Sequence, residues 1–254
     1  MKYHFFLGGY DAEMLEIKNI LDKNGLKYFD KQLKWGAKLS DYKDEIQLLD
    51  ESLIPVFIEL TLDNPYPECA IIIDHHGERS GIDQKTSIEQ IADLLSIRLD
   101  RHQQLISIND KSHIRGMKQW GATDEEIQKI RLMDRRAQGA TEEHERLAEK
   151  SIKENIEIIN DHFVFIVSLS EKTSTVIDRI NDQYLHTVII SPDGNMHYFG
   201  PGETIQQLIQ RLYQQKEQSH VDFEFWYGGS LPEYGYLGSE YNIPKNELIQ
   251  MFES

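Results

Sequence analysis

The chain has 254 residues, enough for two modest domains, and its 43 acidic and 27 basic side chains give a formal net charge of −16. Because binding to long nucleic acids depends on lysine and arginine side chains that neutralise phosphates, this balance argues against a protein that binds long duplex DNA or RNA. One cysteine excludes an intrachain disulfide, and the lack of long apolar segments and of a recognisable signal peptide predicts a cytoplasmic protein without membrane contact.

In the first part of the chain, predicted strands alternate with predicted helices. The helical spacing of apolar residues after Asp11 predicts a helix, and Asp11 either caps that helix or belongs to a site at the end of the preceding strand. Glu59 is a lone acid in an otherwise apolar strand, where it either faces solvent at a sheet edge or needs a partner or metal. The predicted strands cover residues 3–7, 26–33, 56–60 and 70–73, and the predicted helices lie after Asp11 and over 41–49.

The last of these strands, residues 70–73, ends abruptly in Asp74, His75 and His76, followed by a turn that contains glycine. An apolar run without alternation suits a strand buried on both faces of a parallel sheet. Open α/β proteins place their ligands at the C-terminal ends of such strands. The sequence therefore predicts a polar site here, and Cys69, just before the run, is expected to be an inert core residue.

After this motif the pattern predicts a helix over 87–99 capped by Ser87, and then a strand over 103–108 that ends near Asp110. Lys111, His113 and Arg115 follow, and they either face the same crevice or begin an ordinary helix. A boundary near Asn160 gives two predicted domains, residues 1–160 and 161–254. The remaining predicted helices cover 124–137, 141–159, 172–180, 203–213 and 246–252, and the remaining strands cover 163–167, 186–190, 196–199 and 223–227.

Acidic residues follow several predicted strands, and parallel strands would bring them to one rim of the sheet. Carboxylates combined with imidazole suit Mn²⁺ or Mg²⁺ better than a metal that prefers sulfur. A metal held there could activate water and polarise a phosphoryl oxygen. The residues expected at this rim are Asp11, Glu59, Asp74, His75, His76 and Asp110.

These residues resemble the motifs of the DHH phosphoesterase family, which includes RecJ-like exonucleases and oligoribonucleases. The similar segments are Gly8-Gly9-Tyr10-Asp11, the acid Glu59, the Asp74-His75-His76 motif and Asp110, while Gly228-Gly229-Ser230 is similar to the family's substrate-binding glycine motif. The resemblance implies an α/β fold in which a parallel-sheet DHH-type domain precedes a smaller DHHA1-like α/β domain, with the active crevice between them.

The resemblance also implies roles for individual residues. His75, Asp110, Asp11 and Glu59 would bind the metal, and Asp63 competes with Glu59 for the second-motif position. Asp74 would orient its neighbours, His76 would lie near the scissile phosphate, and Arg79 either binds that phosphate or is an ordinary surface residue. The substrate-binding set would be Gly228, Gly229, Ser230, His113 and Arg115.

The first motif departs from the family pattern, because Gly9 stands where the family carries an Asp, and Leu7 or Phe6 stands near the expected His. This loss of ligands predicts one Mn²⁺ or Mg²⁺ ion rather than two. We expect a metal-dependent phosphodiesterase or phosphohydrolase that acts on a small nucleotide or a short oligonucleotide. The alternative is a degenerate family member that binds a nucleotide as a sensor or serves as a partner in an assembly, and a homodimer is left open.

Overall fold

The structure is a computed structural model that describes residues 2–180, 183–219 and 221–253. It has the predicted α/β fold, with strands and helices alternating along the chain. The strands are β1 (Tyr3–Phe6), β2 (Lys27–Phe29), β3 (Ile54–Ile58), β4 (Ile71–Ile73), β5 (Ile156–Asn160), β6 (Phe163–Val167), β7 (His186–Ile190), β8 (Met196–Pro201), β9 (Phe225–Ser230) and β10 (Tyr234–Ser239). The helices are α1 (Ala12–Lys23), α2 (Lys43–Gln47), α3 (Ser87–Leu95), α4 (Arg101–Gln119), α5 (Asp124–Ala137), α6 (Glu142–Asn155), α7 (Thr173–Ile180), α8 (Gly202–Ser219) and α9 (Lys245–Glu253).

The chain divides into two compact units. The first contains the residues up to Arg79 together with Gln84–Asp110 and Gly121–Gly139. The second contains Ser80–Asp83, Lys111–Trp120 and the chain from Ala140 onward. The predicted boundary near Asn160 differs from this division, since α6 and β5 belong with the later residues. β5 pairs with β6, and Ala148 of α6 packs in one core with residues of β6 and α7.

The sheet of the first unit has the strand order β2-β1-β3-β4 and is parallel throughout, as the sequence predicted. Side chains alternate across it, so Phe5 packs with Ile17 of α1 on one face while Phe6 packs with Tyr42 and Phe57 on the other. Burial on both faces explains the continuous apolar run of the central strand β3. Because the four strands are parallel, all of their C-terminal ends lie at one rim of the sheet.

The predicted strand over 103–108 is wrong, because these residues belong to helix α4. Reciprocal hydrogen bonds between Asp100 and Gln103 start the helix: the Gln103 N–H donates to Asp100 Oδ1 and the Asp100 N–H donates to Gln103 Oε1, each at 2.9 Å. A short apolar run such as Leu105-Ile106-Ser107-Ile108 does not distinguish a strand from a buried helix segment. Asp110 consequently lies within a helix rather than at a strand end.

Three smaller expectations are also corrected. Thr86 rather than Ser87 caps α3, since the Thr86 N–H donates to Glu89 Oε2 at 2.8 Å in a capping box. The predicted helix over 141–159 ends at Asn155, where the β-branched residues beginning at Ile156 continue as β5. Cys69 is exposed and is not a core residue.

The second unit contains a mixed sheet with the strand order β5-β6-β7-β8-β10-β9, in which β6 and β7 are parallel. The segment Gly228-Gly229-Ser230 ends β9 and pairs with the beginning of β10. A Cβ atom at Gly229 would lie 2.6 Å from Gly235 Cα, so the close approach of the two strands explains the glycine. Among the residues that the structure describes, no helix is long and apolar enough to cross a membrane.

Candidate metal centre

The rim of the first sheet brings the acid Glu59 next to the Asp-His-His motif. Ile58 of β3 is paired with Ile73 of β4, and the Glu59 N–H donates to the Ile73 carbonyl at 2.8 Å. Glu59 and Asp74 therefore leave the sheet side by side. Glu59 has a φ angle of +51°, a conformation that non-glycine residues adopt rarely and that clusters at functional sites.

His75 lies at the centre of a buried group of carboxylates. Its Nε2 atom is 2.5 Å from Asp110 Oδ2, 3.4 Å from Glu13 Oε2 and 3.8 Å from Glu59 Oε1. The His75 side chain is 4% exposed and the Glu13 side chain 0% exposed. Ligand atoms of Glu13, His75 and Asp110 lie within 4.8 Å of one another, and those of Glu59, His75 and His76 do so as well. We call these residues the His75 cluster: Glu13, Glu59, His75, His76 and Asp110.

Four atoms of the cluster are buried yet hold no hydrogen bond to any residue that the structure describes. They are Glu13 Oε2, Glu59 Oε1, His75 Nε2 and Asp110 Oδ2. His75 Nε2 and Asp110 Oδ2 form an ion pair at 2.5 Å. Buried polar atoms without partners are expensive, and a cation bound among them would satisfy all four. Three oxygens and one imidazole nitrogen suit a hard or borderline divalent metal.

The electrostatics of the cluster point in the same direction. Burial raises the pKa of Glu59 to about 8, an effect that the neighbouring acids Glu13 and Asp110 increase and the two histidines oppose. Burial alone would lower the pKa of His75, but Asp110 and Glu13 raise it to about 12. Burial and then the carboxylates of Glu59 and Asp110 raise the pKa of Asp11. Excess negative charge of this kind favours a bound cation.

Asp74 orders the residues that follow it. Its Oδ1 accepts a hydrogen bond from the His76 N–H at 3.0 Å and lies 3.2 Å from His76 Nδ1. Its Oδ2 accepts a hydrogen bond from Arg79 at 3.1 Å. Burial would raise the pKa of Asp74, but the contacts with His76 and Arg79 outweigh it and hold this pKa below its usual range. Asp74 thus fixes the orientation of both His76 and Arg79.

A second buried network ties the supporting helices to the cluster. Arg131 of α5 donates hydrogen bonds from Nη1 to Asn109 Oδ1 at 2.9 Å and to Asp134 Oδ2 at 2.8 Å. Asp134 Oδ1 accepts a hydrogen bond from the Ala12 N–H at 3.1 Å. Since Asn109 precedes Asp110 and Ala12 precedes Glu13, this network positions the backbone beside two members of the cluster.

Comparison with known proteins adds structural similarity but no family. No protein-family model matches the chain, and no curated protein matches it. Among solved structures, an exopolyphosphatase-related protein from Bacteroides fragilis is similar over 99% of this chain and 90% of its own, with 11% identity and a TM-score of 0.45. An uncharacterized protein from Helicobacter pylori G27 is similar over 100% of both chains, with 11% identity and a TM-score of 0.27. Similarities at this level leave the function to be argued from the residues themselves.

The structure brings together His75, Asp110 and Glu59, all predicted metal ligands. Asp11 instead caps α1, with its Oδ1 accepting a hydrogen bond from the Met14 N–H at 2.7 Å, so its role as a ligand stays a prediction. Asp63 is exposed and its carboxylate binds Ser40, with hydrogen bonds of 2.9 Å from the backbone N–H and 2.6 Å from the hydroxyl. Glu59 therefore fits the second-motif position better than Asp63.

The predicted substrate-binding residues belong to the second unit. His113 Nε2 lies 3.1 Å from Asp178 Oδ1, and the Arg115 guanidinium lies over the Tyr234 ring at 5.8 Å from its centre. Gly228, Gly229 and Ser230 lie in β9. Their predicted role in substrate binding, and the predicted crevice between the domains, stay predictions.

The second unit also contains a cavity of about 440 Å³. Its lining combines basic, aromatic and amide side chains with one acid: Arg115, Lys118, Gln119, Asp161, His162, Gln183, Tyr184, Leu185 and Tyr234. The volume is in the range of small-molecule sites. In a chain of net charge −16, a cavity with this concentration of cations suits an anionic ligand with a planar group.

Glu13 is a member of the cluster that sequence reasoning missed. Its position carries a signal, because the buried face of α1 runs through Ile17, Ile20 and Leu21, and residue 13 lies one turn before Ile17 on that face. A carboxylate on the apolar face of a helix is costly without a partner. It is therefore a candidate for chemistry rather than for solvation.

Backbone atoms leave no room for a side chain at Gly8 or Gly9, in the loop that resembles the family's first motif. A Cβ atom at Gly8 would lie 2.5 Å from the Glu59 carbonyl oxygen, and one at Gly9 would lie 2.6 Å from both the Lys34 carbonyl oxygen and the Trp35 nitrogen. These distances are too short for any side chain, so the loop accepts only glycine without moving. The glycine at position 9 is thus required by packing.

We expect Gly9→Asp, which introduces the residue that DHH phosphoesterases carry in the motif that this segment resembles, to lower the free energy of unfolding by roughly 1–3 kcal/mol through overpacking. It should not increase the number of bound metal ions. Urea unfolding and elemental analysis measure the two effects, and Gly9→Ala, which adds only the Cβ atom, separates steric strain from added charge. An Asp variant with wild-type stability and one additional bound ion would contradict this prediction, because it would mean that the loop rearranges at little cost.

Proposed function

We propose that the chain is a metal-dependent phosphoesterase that hydrolyses a phosphate ester of a small nucleotide or a short oligonucleotide. The observation that carries the proposal is the set of four buried ligand atoms around His75 that lack hydrogen bonds within the described structure. Three carboxylates converge on one imidazole, and their ion pairs with it leave these four buried atoms without hydrogen bonds. A divalent cation gives the arrangement a physical reason.

His75, Asp110 and Glu59 would hold the cation, with Mn²⁺ favoured and Mg²⁺ as the alternative. When bound, such an ion supplies a more acidic water and polarises a phosphoryl oxygen. Because the His75 cluster is buried, its charges act in a medium of low dielectric constant, which strengthens their hold on the ion. Three ligands, His75, Asp110 and Glu59, are better suited to one ion than to two ions.

His76 and Arg79 would act on the phosphate itself. The Arg79 side chain is 50% exposed and is tethered through one nitrogen to Asp74, so its planar guanidinium can bind a phosphate oxygen without losing its position. The His76 ring is 22% exposed and is oriented by Asp74 at Nδ1. A protonated His76 could then donate from Nε2 to the leaving oxygen.

By itself, the cavity of the second unit combines cationic and aromatic side chains. Arg115 and Lys118 suit an anionic group, and Tyr184 suits a planar one, a combination that nucleotides offer. The acidic net charge of the chain favours a short substrate over a long polymer.

The test begins with the purified full chain. Elemental analysis should find Mn, Mg, Fe or Zn bound, and hydrolysis of bis(p-nitrophenyl) phosphate and of dinucleotides should depend on added Mn²⁺ and stop with EDTA. The control is the same protein dialysed against EDTA and reloaded with Mn²⁺, which should recover turnover. A wild-type chain with neither bound metal nor turnover would contradict the proposal.

The lack of space for a side chain at Gly9 favours one competing function. Because Gly9 leaves no room for the Asp that the family carries there, the chain could bind a nucleotide as a sensor and not hydrolyse it. Tight binding of a dinucleotide in calorimetry, without turnover in the presence of Mn²⁺, would support the sensor in place of the enzyme.

A further inference from the structure

A loop of the first unit carries an exposed tryptophan at the same rim of the sheet as the His75 cluster. The loop follows β2, and its residue Trp35 is 53% exposed. Lys34, directly before it, is exposed as well. An aromatic ring that can stack on a base, next to a cation that attracts a phosphate, is a combination that binds nucleotides.

Backbone hydrogen bonds hold the loop on both sides of Trp35. The Leu33 carbonyl accepts a hydrogen bond from the Tyr10 N–H at 3.0 Å, and the Ala37 carbonyl accepts one from the Thr61 N–H at 2.9 Å. Tyr10 follows β1 and Thr61 follows β3, so both donors come from the C-terminal rim of the sheet. The loop is therefore a fixed support for Trp35, which reduces the entropy lost when a ligand binds.

Two glycines connect this loop to the His75 cluster. A Cβ atom at Gly9 would lie 2.6 Å from the Trp35 nitrogen, and a Cβ atom at Gly8 would lie 2.5 Å from the Glu59 carbonyl oxygen. Because neighbouring Cα atoms are about 3.8 Å apart, the Trp35 nitrogen lies within about 12 Å of the Glu59 carbonyl oxygen. Glu59 is a member of the cluster, so one small nucleotide can reach both the cluster and the tryptophan.

Tyr213 provides a matched comparison for Trp35. Its side chain is 52% exposed, but it lies on α8 in the second unit, where its ring packs edge-on against Phe225 with 5.0 Å between the ring centres. Scattered exposed aromatic residues of this kind are common on protein surfaces and need no ligand. The difference between the two residues is location, because Trp35 lies beside the loop that contacts the backbone of Glu59.

We propose that Trp35 is a substrate-binding residue whose indole ring stacks on the base of a nucleotide while the phosphate lies at the His75 cluster. The inference rests on the proposed function and adds to it a residue outside the motifs that the chain resembles. Since every base has a flat face, stacking tolerates different bases. The chain would therefore prefer phosphate esters that carry a base over those that carry only a sugar.

The first test is the affinity of the full chain for adenosine 5′-monophosphate with Mn²⁺ present, in a calorimetric titration completed before phosphate is released. Trp35→Ala should weaken this binding by roughly 5–150-fold, the range expected for one base stacked on an aromatic ring. Trp35→Phe, which keeps a ring, should retain most of the affinity, and Tyr213→Ala should bind like the wild type. Ribose 5-phosphate, which lacks the base, should bind equally to the wild type and to Trp35→Ala.

Tryptophan fluorescence shows where the base binds. The chain has three tryptophans, Trp35, Trp120 and Trp226, and a base stacked on an indole ring quenches its emission. Adenosine 5′-monophosphate should quench the emission of the wild type and of Trp120→Phe, but not that of Trp35→Phe. Trp120 is 42% exposed and directly follows two residues that line the cavity of the second unit. Quenching that disappears in Trp120→Phe instead would place the base near that cavity and overturn the inference.

The outcomes distinguish this inference from the proposed function. If Trp35→Ala binds adenosine 5′-monophosphate as tightly as the wild type does, Trp35 does not stack on the base and the proposed function stands. If Trp35→Ala weakens ribose 5-phosphate equally, or loses affinity for Mn²⁺, the residue has a structural role and the inference fails. A wild type that binds the nucleotide through Trp35 but hydrolyses no phosphate ester supports the inference and contradicts the proposed function.

Discussion

Replacing His75 with alanine will remove the bound metal and lower kcat/KM for phosphodiester hydrolysis by at least about 1,000-fold, which corresponds to roughly 4 kcal/mol of transition-state stabilisation. His75 is the one residue shared by both groups of ligand atoms in the described structure. Its loss takes the nitrogen donor from the centre and leaves Glu13, Glu59 and Asp110 to repel one another. The measurements are elemental analysis and the Mn²⁺-dependent hydrolysis of bis(p-nitrophenyl) phosphate.

The matched control is His102→Ala, which removes a half-buried imidazole from α4 outside the cluster. It should keep wild-type metal content and turnover. If His75→Ala retained both, the cluster would not be the centre of the reaction, even if the wild type proved to be a phosphoesterase.

Replacing Arg131 with methionine will lower the free energy of unfolding by about 3–5 kcal/mol, the typical cost of removing one partner of a buried ion pair. Arg131 and Asp134 are each 5% exposed. Without the guanidinium, the Asp134 carboxylate stays buried and Asn109 loses the donor to its Oδ1. Chemical denaturation followed by circular dichroism measures the loss.

Arg101→Met provides the control for this prediction. Arg101 also pairs with a carboxylate, at 2.7 Å from Glu126, but its side chain is 53% exposed, so its loss should cost only about 0–1 kcal/mol. The double variant Arg131→Met/Asp134→Asn should recover part of the lost stability, because it removes the uncompensated charge. Equal losses for Arg131→Met and Arg101→Met would contradict a strong buried pair.

The apolar patterning predicted the parallel sheet because burial on both faces leaves an unmistakable composition. Residues 54–58 form such a strand, residues 71–73 form the edge strand beside it, and the acids that follow the two strands lie at one rim as expected. Asp110 was predicted near His75 and lies beside it, but on a helix and not at the end of a strand. Local sequence could not make that distinction.

Two features lay beyond local reasoning for physical reasons. The position of Glu13 beside His75 depends on contacts among α1, α3 and the motif after β4, which sequence spacing does not encode. The pairing of β9 with β10 does not follow from its glycine-rich sequence, because glycine permits both turns and close strand pairing. Contacts between distant segments decide both cases.

The backbone at Glu59 gives a final consequence. A φ of +51° would suit glycine better than glutamate, and the buried carboxylate adds a further cost. A chain selected for stability alone would gain from glycine at position 59. Glu59 therefore lowers the stability of the fold at a position where the proposed metal centre needs a carboxylate. A redesign guided by stability alone would replace this residue first.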